Sequence, residues 1–371
     1  MRLRFALFGV ALSTLAALAQ DAPRIGPVSI DRGVMNPAIG DSVRISAAFP
    51  RTGRATVAIV DRDGVIVRTL ANEADVRAGK NEFVWNGRDA SGEVVPDEAY
   101  SLKIDWTGDG VRAWYFPANR AFEMKSVPIK YYDRRGGTLA FDLPSPSRVH
   151  VQAGAAVMKN GTAEGPVMKT VVNREPRVAG SIAEHWNGLD ESGTTYVPDL
   201  PHFVIAVAAT PLAENSIITT GNRQRTFVEL AAARGEQVRS VFTFQTEGHA
   251  HHAGLPTLGD VSPGLVIEPV GGKWSEADRT WSVPAGDVKL RVTLAGPTAS
   301  AFAKQPAKVH RFVDARLVGT SSADGTAELT VRIPKAKLAG TVRMVSVNWQ
   351  SEYGGVAANT IRLRVNGGGK S

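Results

Sequence analysis

Apolar and polar residues alternate at every second position along long stretches of the chain. Val43, Ile45, Ala47 and Phe49 are interleaved with Arg44, Ser46 and Ala48, and Tyr100, Leu102 and Ile104 with Ser101, Lys103 and Asp105. A period of two places one set of side chains in a core and the other in water, as in strands of an antiparallel sandwich. Turn-forming residues punctuate these runs. Asp61-Arg62-Asp63-Gly64 separates the apolar segments 55–60 and 65–70 and predicts a hairpin, with Gly64 supplying the positive φ. The same alternation returns late in the chain, at Val288–Leu294, Leu329–Ile333 and Ile361–Val365. Only short stretches such as Val228–Ala233 read as helix, so the pattern predicts an all-β protein.

The first two thirds of the chain repeat. Trp85-Asn86-Gly87-Arg88-Asp89-Ala90-Ser91-Gly92 recurs 101 residues later as Trp186-Asn187-Gly188-Leu189-Asp190-Glu191-Ser192-Gly193. Upstream, Arg68-Thr69-Leu70 answers to Lys169-Thr170-Val171, and Ala78-Gly79 to Ala179-Gly180. Downstream, Val95-Pro96-Asp97 answers to Val197-Pro198-Asp199. Such a register implies a duplicated domain. The second copy has a longer insertion from Gly154 to Gly165, which predicts a hairpin that projects further. The expected organisation is a sandwich at 24–107, a second at 126–211 and a third, without the Trp-Asn-Gly pattern, at 236–366. The joints fall at Gly108–Val127 and Pro211–Gly235, with Trp114-Tyr115-Phe116 packed between domains.

These residues resemble the FlgD-type immunoglobulin-like domain. The shared pattern runs from a strand through an Asp-x-x-Gly hairpin, Arg-Thr-Leu and an Ala-Gly turn. It continues through Trp-x-Gly-x-Asp-x-x-Gly-x-x-Val-Pro to an aromatic-led strand, here from Ala55 to Ile104. In the second copy Pro201-His202-Phe203 stands in place of Glu98-Ala99-Tyr100, and neither copy has the glycine that usually precedes the aromatic. The resemblance implies an immunoglobulin-like fold for the two copies, and with the third sandwich read from alternation the expected fold is three tandem immunoglobulin-like β-sandwich domains. The resemblance also implies a spacer or docking role, since such modules are attached to many exported proteins. Trp85 and Trp186 either plug the end of each sandwich or present a face for a ligand. Their recurrence at a fold-defining position favours the plug.

Composition narrows the setting. The chain has 371 residues, 43 Lys+Arg against 36 Asp+Glu, and no cysteine. That excludes disulfides, thiolate-bound metals and a cysteine nucleophile, and leaves core burial to hold the fold. Met1-Arg2-Leu3-Arg4, an apolar run from Phe5 to Leu18 and the small-x-small step Ala17-Leu18-Ala19 read as a secretory signal peptide over 1–19. The mature chain is then expected to begin at Gln20, outside the cytoplasm, in the periplasm or beyond, with no membrane span. Basic residues are scattered, without a stripe interleaved with aromatics. Nucleic acid is therefore not the expected partner; other envelope or extracellular proteins, an anionic surface or a polysaccharide are.

The local cluster with most chemical potential is Glu247-Gly248-His249-Ala250-His251-His252. His249, His251 and His252 could ligate copper or zinc, with Glu247 or Asp260 completing the shell, or form a solvated polar turn. Asp61–Gly64 and Asp105–Gly110 lack the full calcium-loop pattern and read as turns. A nucleophile elbow, HExxH, a phosphate loop and a dinucleotide fingerprint are all missing from the sequence, so no enzyme and no cofactor is expected. Three readings follow: a non-catalytic scaffold, a metal-binding protein using the histidine loop, and a carbohydrate-binding protein using Trp274, Trp281 and Trp349.

Overall fold

The computed structural model describes residues 23–366, apart from 63, 119–122, 160–161, 228–262, 324, 336–337, 339–341 and 353–354. The regular secondary structure of the described residues is strand, apart from one short helix at Ala299–Ala303 and 3-10 turns at Pro37–Ile39 and Val197–Asp199. No helix among them is long and apolar enough to cross a membrane.

The first group of strands comprises β1 (Val28–Ile30), β2 (Val34–Met35), β3 (Val43–Phe49), β4 (Gly53–Val60), β5 (Ile66–Val76), β6 (Gly79–Trp85), β7 (Ala99–Gly108) and β8 (Val111–Tyr115). One sheet has the order β1-β3-β6, and the facing sheet contains β7-β4-β5 with β8 also on β7. Alternation does what it predicts on β3: Val43, Ile45, Ala47 and Phe49 are all buried. They meet Val57, Ile59, Leu102, Ile104 and Trp85 from the other strands. The β7–β8 hairpin turns on Asp109 and Gly110, both at positive φ, and Gly108 pairs with Val111. Two left-handed residues in succession match the twist that a two-residue hairpin needs. Trp114, on β8, is 63% exposed rather than packed between domains. Alternation explains this, because its neighbour Ala113 takes the inward position.

The second group comprises β9 (Lys125–Ser126), β10 (Ile129–Asp133), β11 (Thr138–Leu143), β12 (Ser147–Ala155), β13 (Val157–Lys159), β14 (Thr162–Glu164), β15 (Val167–Arg177), β16 (Gly180–His185) and β17 (Phe203–Pro211). Its sheets have the orders β10-β11-β16 and β15-β12-β17-β9. The inserted residues form the hairpin β13–β14, with Val157 opposite Glu164. Leu139, Phe141, Val149, Val151 and Val172 occupy the space between the sheets.

The chain then turns back. Strand β18 (Ile217–Thr219) enters the first group, antiparallel to β7 and parallel to β2, so that sheet reads β2-β18-β7-β4-β5. All three of its residues are buried, and Ile217 joins the first core. The second group is thus flanked in sequence by segments that belong to the first.

The remaining strands are β19 (Gly264–Pro269), β20 (Lys273–Ser275), β21 (Thr280–Val283), β22 (Val288–Ala295), β23 (Ala307–Val313), β24 (Arg316–Ser322), β25 (Glu328–Ile333), β26 (Val342–Ser351) and β27 (Val356–Val365). They form the sheets β19-β22-β25 and β20-β21-β27-β26-β23-β24. Leu290, Val292, Phe302, Val347, Trp349 and Leu363 are buried together between them. On β26, the Asn348 amide faces the backbone of Val167 at the start of β15. Its Oδ1 accepts from Val167 N (2.8 Å), and its Nδ2 donates to Val167 O (2.7 Å).

Candidate functional site

The repeated motif has the same hydrogen bonds in both positions. Trp85 Nε1 donates to Arg88 O (3.0 Å) and Trp186 Nε1 to Leu189 O (2.9 Å). Ala90 N donates to Val67 O as Glu191 N does to Met168 O, at 2.9 Å in each case. Ser91 Oγ and Ser192 Oγ donate to the Oδ1 atoms of Asp89 and Asp190. Gly87 and Gly188 both have positive φ, and a Cβ at either would lie 2.2 Å from a ring atom of Pro37 or Tyr196. Only glycine meets both demands. Both indoles are buried, so these tryptophans close the sandwich ends and present no ligand face.

Between the first and second groups lies a cleft of about 1290 Å³, reaching the Gly264 and Pro297 region of the third. Arg62, Arg177, Arg223, Arg225, Glu98 and Glu184 give its wall most of its charge. At its base Glu98, buried where the Val95–Glu98 turn enters β7, receives two guanidiniums. Arg148, from β12 of the second group, donates to Glu98 Oε1, and Arg62 lies 3.6 Å from Oε2. Arg148 also donates to Ala99 O (3.3 Å), and Ala99 N donates to Glu98 Oε1 (2.7 Å). Arg62 packs its guanidinium over the Phe227 ring, 4.5 Å from the centroid. Arg177 is paired with Glu184 (2.6 Å) and Glu175 (2.9 Å), and Arg225 with Asp89 Oδ2 (2.9 Å). Burial pushes the Asp89 carboxyl up, but the hydrogen bonds from Ser91 and Arg225 outweigh it and hold the group below its ordinary value. Chemically the seam is made of matched ion pairs, which suit it to holding elements in register.

Two bases near the seam are affected by its positive charge. Burial, with the repulsion of Arg62, holds Arg174 down to about 10. His150, on β12 beside it, is lowered from 6.5 to about 4 by burial and by Arg174, and its Nδ1 has no hydrogen-bond partner. Folded His150 therefore stays neutral where unfolded His150 takes up a proton. Between about pH 6.5 and pH 4 the unfolded chain binds more protons, so stability falls as pH falls through that window. The loss reaches about 3 kcal/mol at its acid end. Urea titration of wild type and His150→Gln should show this: the wild type loses stability on acidification, and the variant lacks that part of the loss.

The sequence-derived candidates fare differently. His249, His251 and His252, with Glu247 and Asp260, lie outside the described residues. Asp61 Oδ1 accepts Val65 N (3.0 Å), and Gly64 N donates to Asp61 O (3.0 Å), which is a turn. Among the described residues no three His, Asp or Glu side chains converge on a metal position. Of the three tryptophans considered for sugar, Trp349 is fully buried in the third core and offers no face. Trp274 is exposed, with its ring centroid 5.5 Å from that of Trp281 across the β20–β21 hairpin. Glu98, Arg148 and Arg225 did not stand out in the sequence. The one signal, for Glu98 alone, is the break in the repeat where Pro201 takes its place in the second copy.

Residues 42–110 match the family model of the FlgD Ig-like domain. The basal-body rod modification proteins FlgD of Salmonella typhimurium (strain LT2) and Salmonella typhi are each 36% identical to this chain over 59 residues. The match covers 16% of this chain, and the chain spans about a quarter (25%) of the length of these curated relatives. Among solved structures, FlgD from P. aeruginosa aligns over 26% of this chain and 63% of its own, at 22% identity and a TM-score of 0.19. A structure bearing on host cell surface retention of a bacterial ice-binding adhesin covers 93% of this chain and 98% of its own, at 13% identity and a TM-score of 0.19. A tetra-tandem repeat from the extending region of a large adhesion protein covers 93% and 74%, at 13% identity and a TM-score of 0.21.

Proposed function

We propose that the chain is a non-catalytic scaffold that works outside the cytoplasm. In this reading residues 126–211 are a second module of the FlgD Ig-like kind, and a third sandwich follows from 236. The observation that carries it is the seam between the first two groups. A buried carboxylate shared by Arg62 and Arg148, and a strand returned to the first sheet, fasten two sandwiches into one platform. Such a platform holds loops and sheet edges at defined positions, which is what a docking protein needs. The repeated hydrogen-bond pattern at Trp85 and Trp186 supports the common origin of the two modules. The signal-like N-terminus supports export.

The test is made in the native host. Protein recovered from the extracytoplasmic fraction should begin at Gln20 by mass spectrometry. A photo-crosslinker at Val84, exposed on the edge strand β6, should give a discrete adduct with an envelope or extracellular protein. Recovery from the cytoplasm with Met1–Ala19 intact would overturn the reading.

A further inference from the structure

The hairpin β13–β14 stands where the first module has only the tight turn at Asp61–Gly64. Two glycines form its neck: a Cβ at Gly154 would run into the Pro166 carbonyl, and one at Gly165 into the Ala155 carbonyl. The hairpin faces the third group of strands. His310, on β23, is held below its ordinary value by burial, Lys308 and Arg311, while Glu164 on β14 pulls the other way. Three residues after Glu164, Val167 begins β15, the edge strand of its sheet. Both backbone groups of Val167 are taken by the amide of Asn348, and His310 is the cross-strand neighbour of Asn348. Hairpin and amide thus meet the same patch of the third group.

An amide that donates and accepts at one residue does what a neighbouring strand does at an open edge. Further along that edge, Thr170 N donates to Glu191 Oε1 (3.0 Å). The first module offers the comparison. Its residue in the place of Val167 is Ile66, 101 positions earlier, which begins the edge strand β5 and is 49% exposed.

Burial on the other side of the contact agrees. On β26, Ser346 and Asn348 alternate with Val345, Val347 and Trp349, which belong to the third core. A strand with one face in a core would leave Ser346 and Asn348 in water, yet both are buried. Thr360, opposite Ser346 on β27, is buried too, and the two hydroxyls bond to each other (2.8 Å). Strand β15 of the second module packs against β27.

Met344, next in the row of Ser346 and Asn348, reaches the second module's interior. Trp186 lies with Ala153, Met168 and Val197 in a small cluster. The partly buried Tyr132, Val171 and Ile205 join that cluster to the core around Phe141 and Val149. Trp85, by contrast, belongs to the main core of the first module. Met344 packs on the Trp186 cluster from outside the module, and Arg279 Nη1 donates to Gly193 O (3.3 Å) in the motif turn.

We infer that the third group of strands completes the second module, so that the two unfold as one unit with the β13–β14 hairpin as the seat. In the first module the motif turn is held by the returning segment, through Arg225 on Asp89. In the second, Met344 and Arg279 of the third group take that role. Domains that touch through polar faces move against each other by default. A side chain sunk against the neighbour's core and an amide on its open edge oppose that motion.

This inference goes beyond the docking reading and can fail alone, because purified full-length protein suffices to test it. The measurement is hydrogen exchange by mass spectrometry, resolved by peptide. Met344→Ala lies in the third group, yet it should speed exchange of the β11 peptides of the second module about tenfold. Val266→Ala, at an exposed site on β19, is the control and should leave those peptides unchanged. Asn348→Ala is the milder variant; it should speed the β11 peptides in the same direction and free the Val167 amide to exchange. Unchanged β11 exchange in both variants, or a change confined to peptides from β19–β27, would overturn the inference. A mature start at Gln20 and an adduct at Val84 would then still stand.

Discussion

Trp85→Ala is expected to destabilise the first sandwich by about 3–5 kcal/mol, as truncation of a fully buried aromatic does. The indole is 1% exposed, pairs edge-on with Tyr100 at 5.3 Å, and donates to the Arg88 carbonyl. Removing it opens a cavity at the end of the core and takes the indole donor from the Arg88 carbonyl. Two penalties therefore fall on one site. Trp186→Ala should cost a similar amount in the second sandwich, where the ring stacks on Tyr132 at 5.7 Å. Trp114→Ala, on the exposed face of β8, should change stability by less than about 0.5 kcal/mol. Urea midpoints of the three variants check this. A Trp85 variant as stable as the Trp114 variant would mean that the motif does not close the core.

Much of the fold is legible in residue pattern because its information is local. The alternation at Val43–Phe49 and Val288–Leu294 appears in the structure as alternate burial on β3 and β22. The Trp-Asn-Gly-x-Asp turns carry their own hydrogen-bonding side chains, so eight residues suffice to specify them. Return strand β18 is different. Ile217-Ile218-Thr219 is too short to display a period, and its partners lie more than a hundred positions away, as with Thr219 and Glu98. The burial of the tryptophans outside the repeated motif is equally hidden. Trp349 is buried and Trp114 is exposed, and only the register of each strand within its sheet decides which. The seam illustrates the same limit, since Arg148 matters only because β12 brings it to a carboxylate of another module.

If the first two sandwiches form one fastened platform, Glu98 is where the platform is most open to test. The carboxylate is buried, shared by Arg62 and Arg148, and reached from both modules. Glu98→Gln keeps the shape and removes the charge, leaving two guanidiniums in a buried seam without the anion they share. Breaking a buried ion pair in this way costs about 3–5 kcal/mol. Arg148→Met removes the partner from the second module. The decisive measurement is the double-mutant cycle of Glu98→Gln and Arg148→Met in full-length protein, followed by urea unfolding. A fastened seam gives a coupling energy of about 1–3 kcal/mol between the two positions. Effects that add to within about 0.5 kcal/mol would mean that the modules do not lean on each other at Glu98, and would contradict the platform.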